Sequence, residues 1–231
     1  MNNKAINKKD FVFKIITLGD SFVGKTSIFK KYIYKTFGET KNTIGMNIFS
    51  KELTINNQKI RLLLVDTAGT EKYKSLQKQY FKNADAVLFV FSLDNKDTFY
   101  TITDWMELFN NNNNREEFIP KFLVGTKNDL KINVEQNLID KFVQKYDIPF
   151  KSTSAKENKC IDELFEEIGK KLYLDYLGNL KKGDRRQTHF HIQSKKSKFQ
   201  KHINAVIQND NLILIIYQLL LSLIILLKIW Y

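Results

Sequence analysis

The sequence predicts an α/β fold: a mostly parallel sheet with helices on both faces and one antiparallel hairpin at its edge. Three observations predict it. Apolar runs of strand length alternate with segments whose apolar residues recur every three or four positions. Several runs are apolar along most of their length, such as DAVLFVFS from Asp85 to Ser92, as strands covered on both faces must be. The stretch Gly19-Asp20-Ser21-Phe22-Val23-Gly24-Lys25-Thr26 lies between the first apolar run and the first helical segment. That strand–loop–helix context marks a phosphate-binding loop.

Taken in order, Phe11–Leu18 reads as a buried strand and Ser27–Lys35 as the helix after the loop. Residues 37–45 are polar and aperiodic, a loop. Met46–Ile55 and Lys59–Val65 form a hairpin about the turn signal Asn56-Asn57. Residues 70–82 pass from a loop into a polar helix, and Asp85–Ser92 is a strand. Asp97–Asn110 is a helix with Phe99, Ile102, Met106 and Phe109 on one stripe, followed by the asparagine-rich loop Asn110–Asn114. Ile119–Val124 is a strand, and Asn133–Tyr146 is a helix with Leu138, Phe142 and Val143 inward. Ile148–Phe150 is a short strand. Lys159–Leu177 is a helix striped by Ile161, Leu164, Phe165, Ile168 and Leu172.

The chain has 231 residues, 43% of them hydrophobic, enough for one domain with extensions. The expected organisation is a flexible N-terminus at 1–10, a folded domain at 11–178, a basic flexible linker at 179–211 and a hydrophobic tail at 212–231. The single cysteine, Cys160, excludes a disulfide framework and reads as packed inside the domain. Residues 1–9 are polar and carry no secretory signal. All three histidines follow residue 178, so the domain has none for a Ser-His-Asp or Cys-His site or a His-ligated zinc. The net charge of +12 is uneven: residues 179–231 hold nine Lys or Arg against two Asp. The basic excess thus describes the tail's partner rather than the fold.

Four motifs follow strand ends, where ligands of such sheets sit. In the loop from Asp20 to Ser27, through Ser21, Phe22, Val23, Gly24, Lys25 and Thr26, successive N–H groups wrap a phosphate. Lys25 supplies charge to the outer phosphates, and the Thr26 hydroxyl is a candidate Mg²⁺ ligand. In Asp66-Thr67-Ala68-Gly69, Asp66 can hold Mg²⁺ through water and Gly69 can offer its N–H to a terminal phosphate. In Thr126-Lys127-Asn128-Asp129, the Asp129 carboxylate can accept two N–H bonds from guanine, and adenine offers no matching pair. Lys127 lies over the ring or binds back to the phosphate loop. Ser154-Ala155-Lys156 brings a backbone N–H near the base oxygen. In the loop after the first helix, the Thr43 hydroxyl can close on Mg²⁺ when a third phosphate is present. The last three strand-end tetra- and tripeptides, met singly, are ordinary polar turns.

As a set, GDSFVGKT, NTIG, DTAGTEKY, GTKNDL and TSAK resemble the Ras-superfamily small GTPases in order and spacing, and in detail the Rab branch. The resemblance covers roughly residues 10–178. It implies a P-loop GTPase fold of six strands and five helices. It also implies GTP or GDP bound with Mg²⁺ on Thr26, Thr43 and Asp66, and hydrolysis of GTP to GDP. Effector, exchange-factor and activating proteins would read the switch loops 37–48 and 66–80. The implied role is a switch in vesicle-mediated transport at the cytoplasmic face of an intracellular membrane.

Lys25 and Thr70 occupy the positions the resemblance marks as catalytic. Thr70 stands where the family usually has the Gln that orients the attacking water. Threonine is too short for that, which predicts slow intrinsic hydrolysis or a residue supplied by a partner. Thr126 replaces the usual Asn, predicting weaker affinity with specificity retained. Phe22 replaces a small residue beside the γ-phosphate. Phe37 is one residue closer to Thr43 than the family's base-edge aromatic. On the implied effector surface Ile48 and Val65 replace aromatics and Tyr73 is kept, so partners of ordinary Rabs are not expected to fit.

Residues 178–211 read as a flexible basic linker. His189 and His191 lack further ligands for a metal, and no aromatic-interleaved platform supports nucleic acid. Leu212–Leu227 is apolar apart from Gln218 and Ser222, and the run to Tyr231 has twenty residues, near the ~20 that span a bilayer. Lys228 can snorkel, and Trp230-Tyr231 suit an interface. With no C-terminal cysteine to prenylate, the tail reads as a membrane anchor. Two competing readings remain open: a nucleotide-locked GTP-binding module that recruits partners without turnover, favoured by Thr70, and a P-loop ATPase or kinase, opposed by Asp129.

Overall fold

A computed structural model describes residues 11–38, 43, 45–69, 80–113 and 119–181. The chain divides into two units, Met1–Leu177 and Gly178–Tyr231. The last helix runs on to Lys181 rather than ending at Leu177, so residues 179–181 of the expected linker are helical; the rest of the linker and the tail expected to enter a membrane lie outside the described residues. Among those described, no helix is long and apolar enough to cross a membrane.

Six strands form one sheet: β1 (Phe11–Leu18), β2 (Met46–Ile55), β3 (Gln58–Thr67), β4 (Ala86–Ser92), β5 (Lys121–Thr126) and β6 (Phe150–Ser152). Their order is β2-β3-β1-β4-β5-β6. The β2–β3 pair is antiparallel and every other pair is parallel, as the sequence predicts. The hairpin turns on Asn56 and Asn57, both left-handed at φ 49° and 60°. Asparagine tolerates that conformation better than other side chains, and it matches the twist of the strands. β4 is buried at every residue, whereas β2, at the edge, is half-exposed along most of its length.

The helices are α1 (Lys25–Tyr34), α2 (Asp97–Tyr100), α3 (Ile102–Asn112), α4 (Gln136–Tyr146) and α5 (Ile161–Lys181). Alternate residues of β4 enter two different cores, as the two-residue period of a strand requires. Leu88 and Val90 join a cluster with Phe29 and Tyr32 of α1 and Phe165 and Ile168 of α5. Val87, Phe89 and Phe91 join another with Phe99, Ile102, Trp105 and Phe109 of α2 and α3 and Ile139 of α4.

Several boundaries differ from expectation where contacts distant in sequence intervene. The helix expected over Asp97–Asn110 divides at Thr101, whose ψ of −7° leaves the helical range and whose hydroxyl donates to Asp20. α4 starts at Gln136 rather than Asn133, and the N–H groups of Asn133 and Val134 before it both bond the Leu93 carbonyl. Its fully buried residue is Ile139, with Leu138, Phe142 and Val143 only partly covered. β6 begins at Phe150 rather than Ile148, and Pro149, which has no N–H to donate, contributes only its carbonyl to Leu123. Cys160 is partly exposed rather than packed away. The loop and polar helix expected over 70–82 fall outside the described residues except at 80–82, where Tyr80 and Phe81 are helical and Lys82 is in a turn. Besides Tyr80 and Phe81, the described residues hold five helices, two of which make up one expected helix.

Phe165 is fully buried, stacked on Tyr32 at 4.1 Å between centroids and 5.8 Å from Phe29. Phe165→Ala is expected to remove about 3–5 kcal/mol of stability, read as a lowered midpoint in equilibrium urea unfolding.

Candidate functional site

The loop leaving β1 is shaped by glycines. Gly19 has φ 151°, and a side-chain carbon there would collide with the Val90 carbonyl of β4. Gly24, at φ 97°, starts α1 with no described side chain capping the helix. Its first-turn N–H groups therefore face the loop's interior, where an anion is favoured. A cavity of about 440 Å³ opens there.

Most of the predicted residues meet at this cavity. On the phosphate-loop side its wall includes Ser21, Phe22, Gly24, Lys25, Thr26 and Ser27, with Thr43 and Gly69 beside them. At the other end lie Thr126, Lys127, Asp129, Ala155 and Lys156. Phe37 also lines it, despite its shifted spacing, together with Gly38 and Leu130, which the motifs do not mark. Asp20, Val23, Asp66 and Ser154 stand behind the wall and act on the residues that form it. Thr70, Ile44 and Tyr73 lie outside the described residues.

Lys25 is 5% exposed, and its ammonium donates to the Gly19 and Asp20 carbonyls at 2.9 and 2.6 Å. Burial lowers its pKa to about 8, against the opposing pull of the Asp66 and Asp20 charges. A phosphate would give this desolvated cation the counter-charge it lacks.

Asp66 is buried at the end of β3. Its Oδ2 accepts from Thr26 Oγ1 at 2.6 Å and from Thr43 Oγ1 at 3.3 Å, and the two hydroxyls are 3.0 Å apart. Burial pushes the carboxyl pKa up. The Thr26 bond and the Lys25 charge oppose this, and Thr43 and Asn47 contribute less. Oδ1 is buried with no hydrogen bond of ordinary geometry. An orphaned carboxylate oxygen beside two hydroxyls is a set of hard oxygen donors, and these residues fit Mg²⁺.

At the other end, the Asp129 carboxylate is 7% exposed. It accepts from Ser154 Oγ at 2.6 Å, and Lys156 Nζ lies 4.0 Å away. Ser154 therefore acts by orienting Asp129, a role its place in a small tripeptide does not reveal. Lys127, left-handed at φ 58°, is paired with Asp94 at 3.6 Å. The Thr126 hydroxyl bonds the Val23 carbonyl of the phosphate loop and lies 3.0 Å from the Phe91 carbonyl. It thus joins the two ends of the site. A side-chain carbon on Gly69 would collide with the backbone of Asp20 and Ser21, so the Asp66–Gly69 turn rests directly on the phosphate loop. Phe22 is 69% exposed and left-handed at φ 62°, at the rim rather than crowding the interior.

A family model described as the Ras family matches residues 14–174. The chain is 33% identical over 173 residues to "Ras-related protein Rab-11B" of Dictyostelium discoideum, covering 74% of this chain and 78% of that protein. It is 34% identical over 172 residues to "Ypt/Rab-type GTPase ypt7" of Schizosaccharomyces pombe, covering 71% and 83%. It is 35% identical over 167 residues to "Ras-related protein Rab7" of Glycine max, covering 69% and 81%.

The orphaned oxygen of Asp66 leads to a measurable outcome. Chelation by EDTA is expected to speed release of bound GDP from the wild type by about 10-fold or more. In Asp66→Asn, release is expected to be fast already and nearly insensitive to EDTA, as followed by loss of a fluorescent GDP analogue.

Proposed function

Because the chain belongs to the Ras family of small GTPases, we propose that it is a Rab-like switch that binds GTP and GDP with Mg²⁺ in this cavity and hydrolyses GTP slowly. The observation that carries this reading is the pairing of two ends: an oriented, buried Asp129 at one, and Lys25 with the Thr26–Asp66–Thr43 cluster at the other. Lys25, Thr26, Thr43 and Asp129 line one cavity.

Asp129 accepts the N1 and N2 hydrogens of guanine, and adenine offers no such pair. Ser154 holds that carboxylate in place, and the Ala155–Lys156 backbone lies near the base oxygen. Lys127 covers the ring. Lys25 and the N–H groups from Ser21 to Ser27 take the phosphates. Thr26, Thr43 and Asp66 would hold Mg²⁺, which supplies positive charge to the phosphate oxygens when bound. Gly69 lies close enough to the loop for its N–H to report a third phosphate to the segment that follows. Effectors, exchange factors and activating proteins would read that segment and residues 37–48.

The tail at 212–231 would place the switch on the cytoplasmic face of an intracellular membrane, in vesicle-mediated transport. A full-length chain is expected in the membrane fraction and a 1–205 truncation in the supernatant. Equal solubility of the two in cells would remove the anchor.

Thr70 favours a second reading, a module that holds GTP without turning it over. Single-turnover phosphate release from the purified chain separates the two, and Thr70→Gln is expected to accelerate release by ~10–100-fold. Stable GTP with no release supports the locked module. A variant no faster than wild type removes Thr70 as the cause of slow hydrolysis. Adenine nucleotide found bound to the purified chain overturns both readings.

A further inference from the structure

Asp20 belongs to the phosphate loop, yet its carboxylate does not line the cavity. Oδ1 accepts from the indole Nε1 of Trp105 at 2.8 Å, and Oδ2 accepts from Thr101 Oγ1 at 2.8 Å. Both donors come from one short stretch. Thr101 is the residue at which α2 and α3 part, and Trp105, 4% exposed, lies one turn into α3. Thr101 has a competing acceptor in the Thr98 carbonyl, but at the longer distance of 3.2 Å.

The main chain of the same residue touches the chemistry twice. Its carbonyl accepts from the Lys25 ammonium at 2.6 Å, and it is the backbone that a side chain on Gly69 would strike. One residue therefore joins α3, the phosphate-binding lysine and the turn that follows Asp66. Hydrogen bonds to an ionised acceptor are stronger than those between neutral groups. Two of them on one carboxylate fix both its position and its plane, and through them the peptide that Lys25 and Gly69 lean on.

We propose that Asp20 is a positioning residue for nucleotide retention, and that Thr101 and Trp105 anchor the phosphate loop to α3 through it. The inference rests on the proposed nucleotide site. It makes the joint between α2 and α3, on the far side of the loop from the ligand, part of what sets the nucleotide's residence time.

The test is a mutant cycle on the full chain with Mg²⁺ held constant, reading release of a fluorescent GDP analogue into excess GDP. Trp105→Phe keeps a buried ring and removes the N–H, and Thr101→Val keeps the shape and removes the hydroxyl. Each is expected to speed release by about 10-fold. Asp20→Ala is expected to match or exceed either, and adding Trp105→Phe or Thr101→Val to it is expected to change release little further. Should Asp20→Ala fail to fold, Asp20→Asn serves. It leaves one acceptor oxygen in place, so release is expected between wild type and the Trp105→Phe Thr101→Val double variant. Wild-type release rates in all variants overturn the inference. So does an undiminished effect of Trp105→Phe and Thr101→Val in the Asp20→Ala background, since those residues would then act through packing alone. A wild type that retains no guanine nucleotide overturns the proposed function and this inference together, whereas retention by wild type with unchanged variants overturns only the second.

Discussion

The site depends on one steric constraint, the passage of the loop out of β1 directly over the Val90 carbonyl of β4. Only a residue without a side chain fits there. Because β1 runs parallel to both β3 and β4, a loop pressed against β4 at that level also lies beside the end of β3. There Gly69 packs against Asp20 and Ser21. β5 pairs with β4 so that Thr126 stands opposite Ser92, which brings the Thr126 hydroxyl to the Val23 carbonyl. The cavity is thus assembled from backbone contacts between strand ends, and its polar side chains are placed on that frame.

Much of the frame is legible in the sequence because strand burial, glycine turns and motif spacing are local properties. The apolar runs locate every described strand to within a few residues, and the turn at Asn56-Asn57 falls where its residues demand. The failures come from contacts across sequence distance. Nothing near Thr101 foretells that its hydroxyl will bond Asp20, 81 residues away, at the point where the helix divides. Nothing near Asn133 foretells that the Leu93 carbonyl will accept from its N–H and that of Val134 ahead of α4. In the site, Lys25, Thr26, Asp66 and Asp129 are legible because their chemistry requires their residue type. Ser154 and Asp20 are read from the sequence only for their backbone N–H groups, and the contacts of their side chains with Asp129, Thr101 and Trp105 are not legible there. Trp105, an apolar helix residue by pattern, gives no sign of its partner.

The two ends of the cavity differ in kind. The Asp129 end is ordered by a neutral hydroxyl and is largely shielded, so it presents a fixed acceptor. The Lys25 and Asp66 end carries a desolvated cation and a carboxylate with one unsatisfied oxygen. Such groups are poorly solvated and poorly paired, which favours ligands that bring opposite charge. The two ends of one cavity thus present a fixed acceptor bonded by a neutral group and a pair of desolvated charges. The departures from the family pattern fall unevenly on them: Phe22 sits at the phosphate rim, and Thr126 sits between the two ends.

Thr126 has a mechanical meaning. Its hydroxyl has a single hydrogen to share between two carbonyls, Val23 on the phosphate side and Phe91 on the sheet. The carboxamide usual at this position has two N–H groups to offer. The hydroxyl can therefore make one donated bond at a time where the carboxamide could make two. A ligand that grips both ends would add a second link between them. Stiffness, as well as occupancy, would then distinguish the loaded protein from the empty one.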